Sequence, residues 1–88
     1  MDKLFQLNII TPGRTAFSGK VVSLTAPGEL GYFGILANHC PLISTLIPGK
    51  ITFKDQSGTV SILQSTGRGF LEVIKNEVTL LADEVVSG

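Results

Sequence analysis

Few residues in this chain are placed to do chemistry. His39-Cys40 joins its one histidine to its one cysteine. A thiol nucleophile needs its base within hydrogen-bond reach, yet neighbours on extended chain point to opposite faces. The expected arrangement is a buried small Cys40 beside a His39 at the surface or an interface. One His and one Cys are also too few for a structural zinc site. The carboxylates Asp2, Glu29, Asp55, Glu72, Glu77, Asp83 and Glu84 are scattered, apart from the adjacent Asp83-Glu84. They read as solvated turn and strand charges rather than an acid–base pair. Gly28-Glu29-Leu30-Gly31 and Gly67-Arg68-Gly69 are glycine-rich, but neither matches a phosphate cradle, which needs a following helix or a Gly-Lys-Ser/Thr end. Both read as turn punctuation. No catalytic residue, metal ligand or cofactor is assigned.

Tyr32-Phe33 stands out differently. The chain has one Tyr and no Trp, and these two aromatics fall together in a glycine-rich stretch read as a loop. Two roles are open for them: a staple packed on the end of the fold, or a contact patch, since aromatics are enriched in interface cores.

The elements that must carry these residues are short and extended. Phe5, Leu7 and Ile9 alternate with Gln6 and Asn8, the period-2 sign of a half-buried strand. Thr11-Pro12-Gly13 breaks it. Val21–Ala26 is β-branched and reads as a strand bounded by Gly19 and Pro27-Gly28. Glycine at the density of residues 28–38 disfavours a helix. Pro41 holds Cys40 extended, and Leu42–Ile47 reads as a further strand. Two hairpins follow. In one, Ile51–Lys54 and Thr59–Gln64 flank Asp55–Gly58. In the other, Phe70–Ile74 and Val78–Ala82 flank Lys75-Asn76-Glu77, where Asn76 suits a left-handed turn position. Seven to nine short strands at this spacing predict an all-β sandwich or barrel.

Bulk properties narrow the function. At 88 residues the chain is read as one domain over residues 1–88. Its formal net charge is +0, and Lys3, Lys20, Lys50, Lys54 and Lys75 are dispersed. Nucleic-acid binding needs clustered cations and is not expected. No apolar run approaches the ~20 residues of a membrane span, and the start turns polar too soon for a signal peptide. The expectation is an intracellular protein with no direct membrane insertion, and binding rather than catalysis.

Several segments in order give a resemblance. Leu7–Gly13, Ala16-Phe17-Ser18-Gly19 and Val22–Gly28 resemble the opening strands and turns of the F-type ATP synthase epsilon subunit, in its N-terminal domain. Gly31–Ile43 resembles that family's Gly-Glu-Leu-Gly-Ile-Leu-Pro-Gly-His-Ala-Pro-Leu-Leu stretch. Ile47-Pro48-Gly49, Gly69–Val73 and Asn76–Asp83 follow at the family's distances. Tyr32-Phe33 replaces Glu-Leu, Ala37-Asn38 replaces Pro-Gly, and Cys40 replaces a small residue. Asn38 can still adopt a left-handed conformation in place of Gly.

The resemblance implies a flattened β-sandwich of about ten short, mostly antiparallel strands. It implies a non-catalytic rotor subunit of the central stalk, peripheral on the cytoplasmic face of the bacterial membrane or its equivalent. The implied partners are the gamma subunit and the c-ring loops. Thr11, His39, Leu42 and Ile43 are expected to face gamma. Glu29, Leu30, Tyr32 and Phe33 are expected to face the c-ring. Family members usually continue into two C-terminal helices, to which nucleotide sensing belongs, so no ATP binding is expected of these residues. A biotinyl or lipoyl carrier domain is the alternative, with Lys54 or Lys75 near a turn; neither has the Met-Lys-Met or Asp-Lys-Ala setting of such domains. A hydrolase built on His39 is the weakest reading.

Overall fold

A computed structural model of the chain describes residues 3–88, so Asp2 lies outside the described residues. These form nine strands: β1 (Phe5–Thr11), β2 (Arg14–Gly28), β3 (Gly31–Leu36), β4 (Leu42–Leu46), β5 (Gly49–Asp55), β6 (Val60–Ser65), β7 (Gly69–Ile74), β8 (Glu77–Ala82) and β9 (Val85–Ser87). The all-β expectation holds, with nine strands in place of about ten. One reason is β2, a single 15-residue strand that absorbs both Ala16-Phe17-Ser18 and Val21–Ala26.

Gly19 and Pro27-Gly28 therefore do not bound a strand. Each is held extended by a neighbour: β1 pairs Leu7 with Gly19, and β3 pairs Tyr32 with Pro27 and Gly31 with Gly28. Pro27 has no N–H to donate, and pairing between β2 and β5 stops at Thr25. The Pro27 carbonyl instead accepts the Ile47 N–H at 3.0 Å.

The strands form one hydrogen-bonded set folded over on itself. The ladder runs β2–β1–β8–β7–β4 and returns to β2 through a single bridge between Gly28 and Leu46; β5, β6 and β9 extend it from the other side of β2. Every pairing is antiparallel except β1 with β8. Such closure leaves fewer exposed sheet edges to protect.

The interior collects alternate residues of each strand: Phe5, Leu7 and Ile9 from β1, Ile51 and Phe53 from β5, Leu71 and Val73 from β7, Val78, Leu80 and Ala82 from β8. One departure from the alternation in β2 is informative. Val21 and Val22 are consecutive and both buried, because the β2–β5 register shifts between Val21 and Ser23. A bulge spends an extra residue and re-aims the strand, so two neighbours can both turn inward.

The turns match their residue types. Between β7 and β8, Ile74 pairs with Glu77 across Lys75-Asn76, both at positive φ (48° and 65°). Two such residues twist with the flanking strands, which favours them in tight hairpins. Between β5 and β6, Gly58 has φ 90°. There Asp55 Oδ1 accepts from Ser57 N at 2.9 Å, Ser57 Oγ at 2.6 Å and Thr59 N at 3.0 Å.

Candidate protein-binding face

Tyr32 and Phe33 lie on a strand, not a loop, because the β2–β3 hairpin turns earlier, at Glu29-Leu30. Alternation then sends them to different fates. Phe33 is half-buried and packs against the core; its ring stands where a side chain on Gly28 would need to be. Tyr32 is exposed, and its hydroxyl accepts the Lys50 N–H at 3.0 Å. Glu29 and Leu30 form the turn itself. Leu30 is fully exposed at 105%.

The loop after β3 carries the histidine. Asn38 takes φ 65°, the left-handed conformation foreseen for it. His39 is half-buried, with Nδ1 2.8 Å from the Cys40 carbonyl. Cys40 is exposed, not buried as expected. It sits between β3 and Pro41 in a segment without a strand partner, so no layer covers it. The His39 ring is hydrogen-bonded to the Cys40 carbonyl rather than its thiol, and among the described residues no three His, Cys, Asp or Glu gather as a metal set. Beyond the loop, Leu42 packs on the core while Ile43 points out, 73% exposed.

These pieces meet. Glu29, Leu30, Tyr32, Phe33, His39, Leu42 and Ile43 line one open groove of about 780 Å³ between the β2–β3 hairpin and β4. Seven of the eight residues expected in two separate contact sets thus share one surface. Thr11 is the exception. It ends β1, with Oγ1 donating to the Arg14 carbonyl at 3.1 Å, and lines a second groove of about 510 Å³ with Ile10, Pro12, Phe70 and Leu81.

The two grooves adjoin. Thr45 lines both, and Arg68 of the second reaches Glu29 of the first at 3.9 Å. That ion pair is solvent-exposed, so its net worth is about 0–1 kcal/mol. Together the grooves present Leu30, Tyr32, Ile43, Phe70 and Leu81, all exposed. A contiguous apolar face of this kind is characteristic of a protein–protein contact.

Residues 4–88 match the family described as ATP synthase, Delta/Epsilon chain, beta-sandwich domain. The chain belongs to this family. Curated relatives named ATP synthase epsilon chain include one from Dichelobacter nodosus, 45% identical over 84 residues, covering 96% of this chain and 58% of the relative. Another, from Chlorobaculum tepidum, is 40% identical and covers 96% of this chain and 94% of the relative. A third, from Caulobacter vibrioides, is 42% identical, with 98% and 96% covered. The chain thus spans little more than half the length of some epsilon relatives and nearly all of others. Among solved structures, a chain of the Euglena gracilis mitochondrial ATP synthase superposes with a TM-score of 0.90 at 21% identity, covering 96% of this chain and 53% of that one. That likeness speaks to the fold.

Within this epsilon-type sandwich, the sequence reading missed Ile10, Arg68, Phe70 and Leu81. A signal was present for two of them. Phe70-Leu71 and Leu80-Leu81 are apolar pairs inside strands, and a pleated strand sends one member of each pair outward. Phe70 and Leu81 are those members, directly opposite each other across β7 and β8. Lys75 does sit in a tight turn and Lys54 near the end of β5, but family membership leaves neither with a carrier role.

Proposed function

We propose that this chain is a non-catalytic subunit of the ATP synthase central stalk, binding the gamma subunit and the c-ring loops and so coupling ion flow to ATP synthesis. The observation that carries the reading is the continuous apolar face formed by the two grooves, on a chain whose relatives at 40% identity and above are named ATP synthase epsilon chain. A chain from the central stalk and c-ring of the Tetrahymena thermophila mitochondrial ATP synthase, 15% identical with a TM-score of 0.82, shares this fold.

The chemistry suits a lasting protein contact. Burying exposed Ile43, Phe70 and Leu81 removes apolar area from water at roughly 25 cal/mol per Å². The surrounding charge is sparse: Glu29, Arg68 and Asp83. Packing, more than charge, sets affinity on such a face. Gamma is assigned to Thr11, His39, Leu42 and Ile43. The c-ring is assigned to the hairpin tip, Glu29 and Leu30, with Tyr32 and Phe33 behind it. Attachment to the cytoplasmic face of the membrane then comes through the complex. Among the described residues no helix is long and apolar enough to cross a membrane.

The test is a size-exclusion run of the chain mixed with gamma from the same source. Co-elution is expected, and it should be lost with Ile43→Asp. Separate elution of the unsubstituted chain at micromolar concentration overturns the gamma assignment.

A further inference from the structure

One side chain ties together three segments that are far apart in sequence. Asn76, at the β7–β8 turn, donates from Nδ2 to the Leu4 carbonyl at 2.8 Å. Its Oδ1 accepts the Asn38 N–H at 2.7 Å. Its own carbonyl accepts the Gln6 N–H at 3.1 Å. Both ends of the amide are thus used on backbone, and neither on a neighbour along its own hairpin.

The consequence falls on the His39 loop. Ala37 and Leu42 pack against the core at the two ends of this loop. Between them the backbone turns through Asn38 at φ 65°, a conformation that is uncommon for a side-chain-bearing residue. The side-chain bond to that turn comes from Asn76. His39 follows directly and lines the groove. A loop ordered before binding loses less entropy when its partner arrives.

We infer that Asn76 is a positioning residue for partner binding: it holds the His39 loop in the shape that forms one wall of the groove. This rests on the gamma-binding reading above. Asn76 itself does not line the groove, so its effect passes through Asn38.

Two variants separate this role from general support of the fold. Asn76→Gly accepts the positive φ and loses both side-chain bonds. Asn76→Asp keeps an oxygen for the Asn38 N–H and loses the donor to Leu4. Gamma affinity and amide exchange at Asn38 and Cys40 are measured on the full chain. In Asn76→Gly, exchange at Asn38 should speed up and affinity should fall about tenfold, the size expected for one lost hydrogen bond's worth of loop order. Asn76→Asp sets a carboxylate oxygen against the Leu4 carbonyl, so its affinity should track the Asn38 bond: kept where Asn38 stays slow to exchange, lost where it does not. Loss of affinity in Asn76→Asp while Asn38 stays slow to exchange would assign the effect to the Leu4 bond and overturn the inference. So would unchanged affinity in Asn76→Gly while the unsubstituted chain binds. If the unsubstituted chain itself fails to bind gamma, the functional reading fails first and this inference falls with it.

Discussion

The hydroxyl of Tyr32 accepts the Lys50 N–H at 3.0 Å, and it does so directly over Gly49. A Cβ at Gly49 would lie 2.7 Å from that oxygen and 2.8 Å from Pro27 Cβ. The aromatic side chain at position 32 is thus both exposed surface and a latch between β3 and the start of β5. Tyr32→Phe should lower unfolding free energy by about 0.5–1 kcal/mol, the low end for a hydrogen bond because water can replace the hydroxyl. Urea denaturation checks it. Gly49→Ala should cost more, since both the latch and Pro27 must move.

Gly69 is a harder constraint. A Cβ there would clash with the backbone carbonyl of Leu81 on the paired strand β8, and a backbone atom cannot rotate away as a side chain can. Gly69→Ala should destabilise by more than about 3 kcal/mol or prevent folding, in the class of overpacked sites. Gly13 is the control: a methyl group there would meet nothing within 4 Å. Gly13→Ala should leave the melting temperature nearly unchanged or raise it slightly, because a stiffer unfolded chain loses less entropy on folding.

The outward face should separate binding from folding. Phe70→Ser and Ile43→Thr trim side chains that are 56% and 73% exposed without placing a charge opposite Glu72, so stability should fall by no more than about 1 kcal/mol. Gamma affinity should fall about tenfold or more, as for residues central to an interface. Calorimetric titration alongside thermal melts gives both numbers. Phe33→Ala should behave oppositely. Its ring packs on the core, so the melt should shift before any binding effect can be read.

Acid should loosen the β5–β6 turn. The Asp55 carboxyl is held below its ordinary value of 3.8, chiefly by the Ser57 hydroxyl and also by the Thr59, Ser57 and Gly58 amides, with desolvation opposing. Its folded pKa therefore lies below its unfolded pKa. The stabilisation is present above the unfolded value and is lost as pH falls through the folded one. Stability followed from about pH 5 downward should decline near and below 3.8, and Asp55→Asn should flatten that part of the profile. An unchanged slope in the variant would assign the acid sensitivity to other carboxylates.

Local patterns were enough to place β1 and the two hairpins β5–β6 and β7–β8, but not β3, β9 or the full length of β2. Period-2 alternation marked Phe5, Leu7 and Ile9 as inward, and Asn38 and Asn76 were readable as left-handed positions because their short polar side chains tolerate that conformation. Ordered motifs along the chain were enough to place the family. The tertiary structure decided what depends on residues distant in sequence. The hairpin register moved Tyr32 and Phe33 onto β3 and gave them opposite environments. The absence of a neighbouring strand exposed Cys40. The bulge that buries Val21 and Val22 together depends on the pairing of β2 with β5. The long-range pairings of β1 with β8 and β4 with β7 set Ile10, Leu81, Phe70 and Thr45 side by side. Alternation says which residues share a face of one strand; only strand order and register say which strands bring those faces together.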